Sequence, residues 1–541
     1  MSTAASPVRP SRADRFLGVV ERLGNRLPEP FTLFLILFLV IALVSTFMAL
    51  ADVTVQVPGA DEVTEIQGLF TPEGLTWFTT NIGTNYIGFP PLVTVLTIWL
   101  AVGVAEKTGL LAAGVRAVFG SAPRWALPYA VGLVGVMGSV MSDSAFIVIP
   151  PLAAMVFQAA GRHPVAGLLG GFAAAGAGYS TNIAVTSLDA LFSGITTAVT
   201  EILPNPGDPV NPLSNWYFNV VSAVLLSVLA GLLIDKVLEP RLVRQGVPVG
   251  EARFAGTVVP DDGRPGAGAH DEPVVIADLT TTERRGLAFA IGSLLLVAAV
   301  LTVAFVLPGS PWRNEDGGFL PESPLLGSIT FVIFVLFMVP GIVYGVVTRT
   351  VTSMKDVPRL LEQSVKDMAG FLVLAFVLGQ FIALFNWSGV GQWIAVAGAG
   401  GLESSGLTGY GAIVGFLLLA SLLNLFIISG SSLWTIMAAV FVPMFALIGY
   451  EPGFVQAAFR VGDSATQIIT PLNPYMIVLL TFLRRWEPKA GLGTVIARLL
   501  PFTVAFWLVW AAILSVFFFL DLPIGPGNGI FLDQTGSALA D

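Results

Sequence analysis

The chain has 541 residues, 55% of them hydrophobic and only 11% charged, with a net charge of −9. A soluble domain typically carries about twice that charged fraction, so water cannot be its only solvent. There is no cysteine and there are two histidines, His163 and His270, both in polar connectors, which excludes disulfides, thiolate metal sites and cysteine nucleophiles. No phosphate loop, HExxH motif or zinc-ligand cluster occurs, so ATP drive and metal-assisted hydrolysis lack their usual parts, and no resident cofactor is expected. The net charge is divided between two membrane faces and gives no ground for a nucleic-acid partner.

In chain order, the first apolar run (Phe31–Leu50) follows an arginine-rich stretch and is too long for a cleaved signal, so residues 1–29 read as a cytoplasmic segment before a retained span. Further apolar runs long enough for about 30 Å of hydrocarbon fall at 87–105, 164–191, 214–236, 285–308, 325–348, 369–386, 455–482 and 496–520. They lack alternation, and lipid leaves no backbone group unpaired, so they predict helices. Pro90-Pro91 predicts a kink in the second span. Two stretches, 125–160 and 410–450, are about twice a span's length and are interrupted midway by polar clusters. They read as re-entrant hairpins in preference to pairs of complete spans, although the charge balance is the same either way. The expected fold is an all-α membrane protein of about nine transmembrane helices plus two opposed hairpins.

Of the 26 Lys and Arg, all but Arg313 and Arg460 collect on one side when the N-terminus is placed inside, which predicts a cytoplasmic N-terminus and an external C-terminus. The chain then divides into a first membrane half (30–235), a Pro/Gly/Asp-rich cytoplasmic linker (236–285), a second membrane half (286–520) and an external tail (521–541). The two halves repeat. Ser142-Asp143-Ser144, His163-Pro164, Gly178-Tyr179-Ser180-Thr181-Asn182 and Thr186-Ser187-Leu188-Asp189 correspond to Ser429-Gly430-Ser431-Ser432, Glu451-Pro452, Gly462-Asp463-Ser464-Ala465-Thr466 and Thr470-Pro471-Leu472-Asn473. The charge map gives the units opposite orientations, the inverted repeat by which secondary transporters alternate access to a midplane site.

The charges at membrane depth carry the candidate chemistry. Arg460 and Asp463 lie three residues apart, on one helix face. They read either as a structural ion pair or as a site in which Asp463 binds the coupling cation or proton and Arg460 tunes it or meets an anionic substrate. Asn424, just before the second turn, is either an interhelical hydrogen-bonding residue or an ion ligand. Trp434, just after that turn, is either interfacial or a ring for an aromatic substrate. Ser142 and Ser429 place hydroxyls and freed helix ends at the hairpin tips, where they can hold an ion. Asp189 and Asn473 are paired endpoints of the repeat, and Pro452, Pro471 and Pro474 break helices.

The runs Ser142–Leu152, Gly176–Asp189 and Asn424 through Trp434 to Asn473-Pro474 resemble the p-aminobenzoyl-glutamate transporter (AbgT) family over most of the chain. The resemblance implies a homodimer in the bacterial inner membrane, with a scaffold and a core that holds both hairpins. It implies p-aminobenzoyl-glutamate-like solutes, and for some members export of sulfonamide antimetabolites. It associates Asp189, Asn424, Trp434, Pro452, Arg460 and Asp463 with substrate or ion handling, with Asn424 and Asp463 as a sodium-site pair. Na+ and H+ both stay open as coupling ion, as do import and export. A dicarboxylate carrier and a passive channel are the alternative readings.

Overall fold

The computed structural model describes residues 28–58, 63–249, 279–320, 323–406 and 408–532. The expected N-terminal segment, His270 and most of the linker therefore lie outside the described residues. Helix α1 (Pro30–Leu50) crosses as predicted. After it a small antiparallel ribbon, β1 (Thr54–Gln56) with β2 (Val63–Glu65), leads into helix α2 (Pro72–Ile87) and then α3 (Pro90–Lys107). The sequence placed no helix at 72–87, because its threonines and asparagines mask the apolar signal. At Pro90-Pro91 the helix is interrupted for two residues, Gly88 and Phe89, where proline supplies the first residue of α3, and α2 and α3 together run on as one span of 36 residues.

A short helix α4 (Leu110–Ser121) precedes the first hairpin, α5 (Leu127–Met137) and α6 (Ser144–Ala159), joined by a 3-10 turn over Gly138–Met141. The sequence reads 164–191 as one span. The structure instead has α7 (Pro164–Ala177), nine residues without helix, and α8 (Ser187–Thr200). Gly178, Ser180, Thr181 and Asn182 supply the reason: small polar residues compete with the helix for their own backbone. Helix α9 (Trp216–Leu232) runs through a π turn (Leu233–Leu238) into α10 (Glu239–Arg244).

The second half opens with α11 (Thr281–Val306), started by a Thr280/Glu283 capping box, then α12 (Pro324–Gly327) and α13 (Ile329–Thr348). The strongly amphipathic α14 (Asp356–Asp367) packs on α3, where a Cβ at Gly103 would fall 2.2 Å from Ser364 Oγ. Next come α15 (Ala369–Trp387) and α16 (Val390–Ser404), the latter unpredicted because glycines dilute its apolar pattern. The second hairpin is α17 (Tyr410–Asn424) and α18 (Gly430–Leu447). The predicted span 455–482 is bent by 41° between α19 (Pro452–Thr466), with its 3-10 extension to Ile469, and α20 (Pro474–Leu483). Pro471 and Pro474 cannot continue the ladder. Helix α21 (Leu492–Phe519) closes the bundle.

Eight described helices are long and apolar enough to cross a bilayer, or nine if the bent pair counts as one span. Helices α5 and α17, of 11 and 15 residues, reach about 16 and 22 Å and fall short of the hydrocarbon thickness. The order hairpin, helix, break, helix, long helix recurs in both halves. The first residues of the expected external tail, 521–532, pack back on the bundle: Ile524 and Ile530 are buried, and Glu451 N–H donates to the Ile530 carbonyl at 2.9 Å.

Candidate transport site

The two hairpin tips and the breaks of both repeat units meet at one cavity of about 740 Å³. Ser142 and Asp143 line it from the first tip, and Ser429, Gly430, Ser431 and Ser432 from the second. Tyr179 enters from the first break, and Asp463, Gln467, Asn473 and Tyr475 from the second. Each piece has a local cause. Ser429 caps α18 by accepting the Ser432 N–H at 3.3 Å, and Asn473 caps α20 by accepting the Tyr475 N–H at 3.0 Å. Ser142 holds the left-handed φ of 47° that lets the first hairpin turn, an uncommon conformation for a residue with a Cβ. Ser144 Oγ donates to Glu106 Oε1 at 2.5 Å, fixing that tip to the end of α3, and Lys107 pairs with Asp367, which lines the cavity.

Every residue of α19 is buried, Arg460 and Asp463 included. Arg460 does not pair with its neighbour Asp463. Its Nη1 contacts Asp189 Oδ1 at 2.8 Å and donates to the Ser180 carbonyl at 2.8 Å, its Nε donates to Asn215 Oδ1 at 3.0 Å, and the guanidinium stacks 5.1 Å from the Phe192 ring. Asp189 is the third residue of α8, where its other oxygen accepts the N–H and hydroxyl of Thr186, and Asn219 donates to Oδ1. It is 3% exposed, so it faces no outside water. The pair joins the two halves, and both Asp189 oxygens and two of the three guanidinium nitrogens have partners. A buried pair so bonded fixes the relative position of the halves more than it strengthens the fold.

Asp463 has a different environment. Its Oδ1 is buried without a hydrogen-bond partner, and so are Asn424 Oδ1 and Gln467 Oε1. Asn424 Nδ2 donates to the Asp463 carbonyl and, at 2.9 Å, to Thr466 Oγ1, which turns its oxygen away from those donors. Asp463 and Gln467 lie about one turn apart on α19 and its extension, and Asn424 reaches the same turn from α17; acceptor oxygens left unpaired there are costly unless a cation or donor satisfies them.

The cavity lining includes none of Asp189, Asn424, Trp434, Pro452 and Arg460. Trp434 is fully buried, donates its indole N–H to the Phe192 carbonyl and Thr196 Oγ1, each at 3.2 Å, and packs on Phe459, so it is not interfacial. Pro452 starts α19, about 16 Å along the helix from Asp463. Sequence reasoning passed over Glu106, Asn215, Gln467 and Tyr475. Gln467, one residue beyond the polar Asp463–Thr466 cluster, was the one that could have been found.

A polytopic helical bundle whose paired hairpins close on a polar cavity defines a membrane transporter. Comparison with known proteins agrees, and the chain belongs to the AbgT putative transporter family, whose model matches residues 15–532. It is 37% identical over 518 residues to the p-aminobenzoyl-glutamate transport protein of Escherichia coli (strain K12), covering 96% of this chain and 97% of that protein. Among solved structures it resembles the YdaH transporter of Alcanivorax borkumensis, with a TM-score of 0.82 and 34% identity, covering 92% of this chain and all of that one. It also resembles MtrF of Neisseria gonorrhoeae, described as illuminating a class of antimetabolite efflux pumps, with a TM-score of 0.84, 34% identity, and coverage of 95% and 99%.

Proposed function

We propose that the chain is an ion-coupled secondary transporter of p-aminobenzoyl-glutamate-like solutes and related antimetabolites. The observation that carries the coupling is the set of unpaired, buried oxygens of Asn424, Asp463 and Gln467 beside the second hairpin. Oxygen-only ligands suit a hard monovalent cation, and Asp463 supplies the one formal charge needed to offset it. A carboxylate can hold either a sodium ion or a proton, so Na+ and H+ compete for one role.

The substrate reading is supported by the relatives' names and by the cavity. Its size lies in the range of small-molecule sites, and it combines aromatic walls with serine-lined helix starts. The starts of α6, α8, α18 and α20 contribute Ser144's neighbours, Ser187, Gly430 and Pro474 to its surround, an arrangement whose dipoles favour the carboxylates of a folate-like anion. Among the described residues the cavity lining contains no Lys or Arg, and Arg460 is occupied by Asp189, so within the described residues an anion relies on those helix ends and on the bound cation. Pro28, Pro30, Asp367 and Met368 also line the cavity. With the N-terminus inside, as the charge distribution supports, the cavity is open to the cytoplasm.

Proteoliposomes loaded with p-aminobenzoyl-glutamate and given a sodium or a proton gradient separately test this reading. Flux driven by either gradient, and lost in Asp463→Asn, is expected. Flux that proceeds equally with no ion gradient, at channel-like rates, would replace the carrier by a pore. Competition by succinate and not by p-aminobenzoyl-glutamate would replace the substrate class by dicarboxylates.

A further inference from the structure

The cavity holds three carboxylates, and two have partners or a role. Asp367 is tied to Lys107 at 2.5 Å, and Asp463 belongs to the buried oxygen set beside the second hairpin. Asp143 is the third. It stands at the first tip, exposed into the cavity, and makes no ion pair among the described residues. Its neighbour is the Tyr475 hydroxyl. Behind it the Tyr475 ring stacks on Phe146, with centroids 5.0 Å apart and planes 5° from parallel, and Tyr179 stands 6.1 Å from Phe146. The tip has little freedom to withdraw, because Ser144 is held by Glu106 on one side of Asp143 and Ser142 is locked in its turn on the other.

Resting on the substrate reading above, we propose that Asp143 is a specificity residue that accepts an N–H of a primary arylamine on the solute, whose ring sits against Phe146, Tyr179 and Tyr475. An arylamine is uncharged at neutral pH, because its lone pair is delocalised into the ring, yet it keeps two good N–H donors. A carboxylate without a cation of its own is the acceptor that rewards such a donor, through a charge-assisted hydrogen bond. An aromatic wall beside it accepts the attached ring by offset or edge packing. A cationic amine would be drawn as well to Asp367 and Asp463, but only an aryl ring uses the stacked pair next to Asp143. The carboxylate end of the same solute then faces the Ser429–Ser432 helix start across the cavity, so the first tip reads the amine and the second the acid.

The test is equilibrium binding by the purified full-length protein, in saturating sodium, of p-aminobenzoyl-glutamate and of benzoyl-glutamate, which lacks only the amine. Wild type is expected to prefer the amine about 10- to 100-fold. Asp143→Asn should reduce that preference to about threefold or less while leaving benzoyl-glutamate affinity unchanged. A preference that survives in Asp143→Asn overturns the proposal, and so does an equal loss of both ligands, which would make Asp143 an ion-handling or structural residue. Wild type that binds neither compound refutes the substrate reading itself. If Asp143→Asn fails to fold, Tyr475→Phe decides. It frees the Asp143 carboxylate and keeps the ring, so the amine preference should hold or rise, and its collapse overturns the proposal.

Discussion

Ser180 and Ser464 touch each other: the Ser180 backbone N–H donates to Ser464 Oγ at 3.1 Å, and the two serines occupy equivalent positions of the two repeat units, 284 residues apart. In an object with approximate two-fold symmetry, a residue can contact its own mate only near the axis. The axis of the inverted repeat therefore passes between these serines, beside the Arg460–Asp189 pair and one residue from Asp463. The residues two positions further on, Asn182 and Thr466, also correspond, and each bonds to a polar side chain of its own half: Asn182 Nδ2 donates to Ser139 Oγ at 2.8 Å, and Thr466 Oγ1 accepts from Asn424 Nδ2 at 2.9 Å. The candidate site thus lies beside the axis that relates the two halves, where transporters built of inverted repeats place their substrate site.

The Arg460–Asp189 pair should be structural. Arg460→Met leaves Asp189 buried without its cation and is expected to lower stability by about 3–5 kcal/mol. Replacing both partners, Arg460→Met with Asp189→Asn, should recover much of that loss, because each charge is harmful only when the other is missing. Thermal melts of the single and double variants in detergent measure this. Strictly additive losses would show that the two side chains act independently.

Asp463→Asn should behave in the opposite way. No cationic side chain contacts Asp463, so its melting temperature should stay near wild type. Wild type should gain stability on adding sodium, by about 2.7 kcal/mol at a hundred times the dissociation constant, and Asp463→Asn should gain almost nothing. A sodium response that persists in the variant would move the cation elsewhere.

Much of this was legible in the sequence. Lipid forces each span to be an apolar run, so spans and hairpins stand out, and their interruptions are written in glycine, serine and proline. Partner choice was not legible. Arg460 and Asp463 share a helix face, yet the arginine reaches past its neighbour to Asp189, 271 residues away, because the fold brings the α8 acid, the Ser180 carbonyl of the break before it and Asn215 at the start of α9 together there. Nothing local in the sequence encodes that meeting. Trp434 is the converse: an aromatic beside a polar tip looks like a ligand contact, but helix rotation turns it onto Phe192 and Phe459, away from the cavity.

Gly462 should be intolerant of any side chain. A Cβ there would fall 2.6 Å from Ala420 Cβ and 2.7 Å from the Leu417 carbonyl oxygen, so α17 must move. Gly462→Ala should cost about 1–3 kcal/mol. It should also weaken the sodium response, because Asn424 sits one turn beyond Ala420 and would be carried away from Asp463. Gly114→Ala, with open space around it, is the neutral control. A variant at Gly462 that melts and responds to sodium like wild type would mean the helices separate at no cost.

Access to the cavity can be read directly, because the chain has no cysteine and any introduced thiol is the only one present. Ser142→Cys and Ser431→Cys both place a thiol in the lining. The cavity lining includes Pro28, Pro30 and Asp367, residues next in sequence to the arginine-rich N-terminal segment and to the basic stretch from Arg349 to Lys366. A membrane-impermeant maleimide should therefore label both variants in inside-out vesicles and leave them unmodified in right-side-out cells. Bound substrate should slow labelling at both tips, because one solute spans the two. Labelling from the outer face alone would invert the proposed topology, and protection at only one tip would confine the solute to one repeat unit.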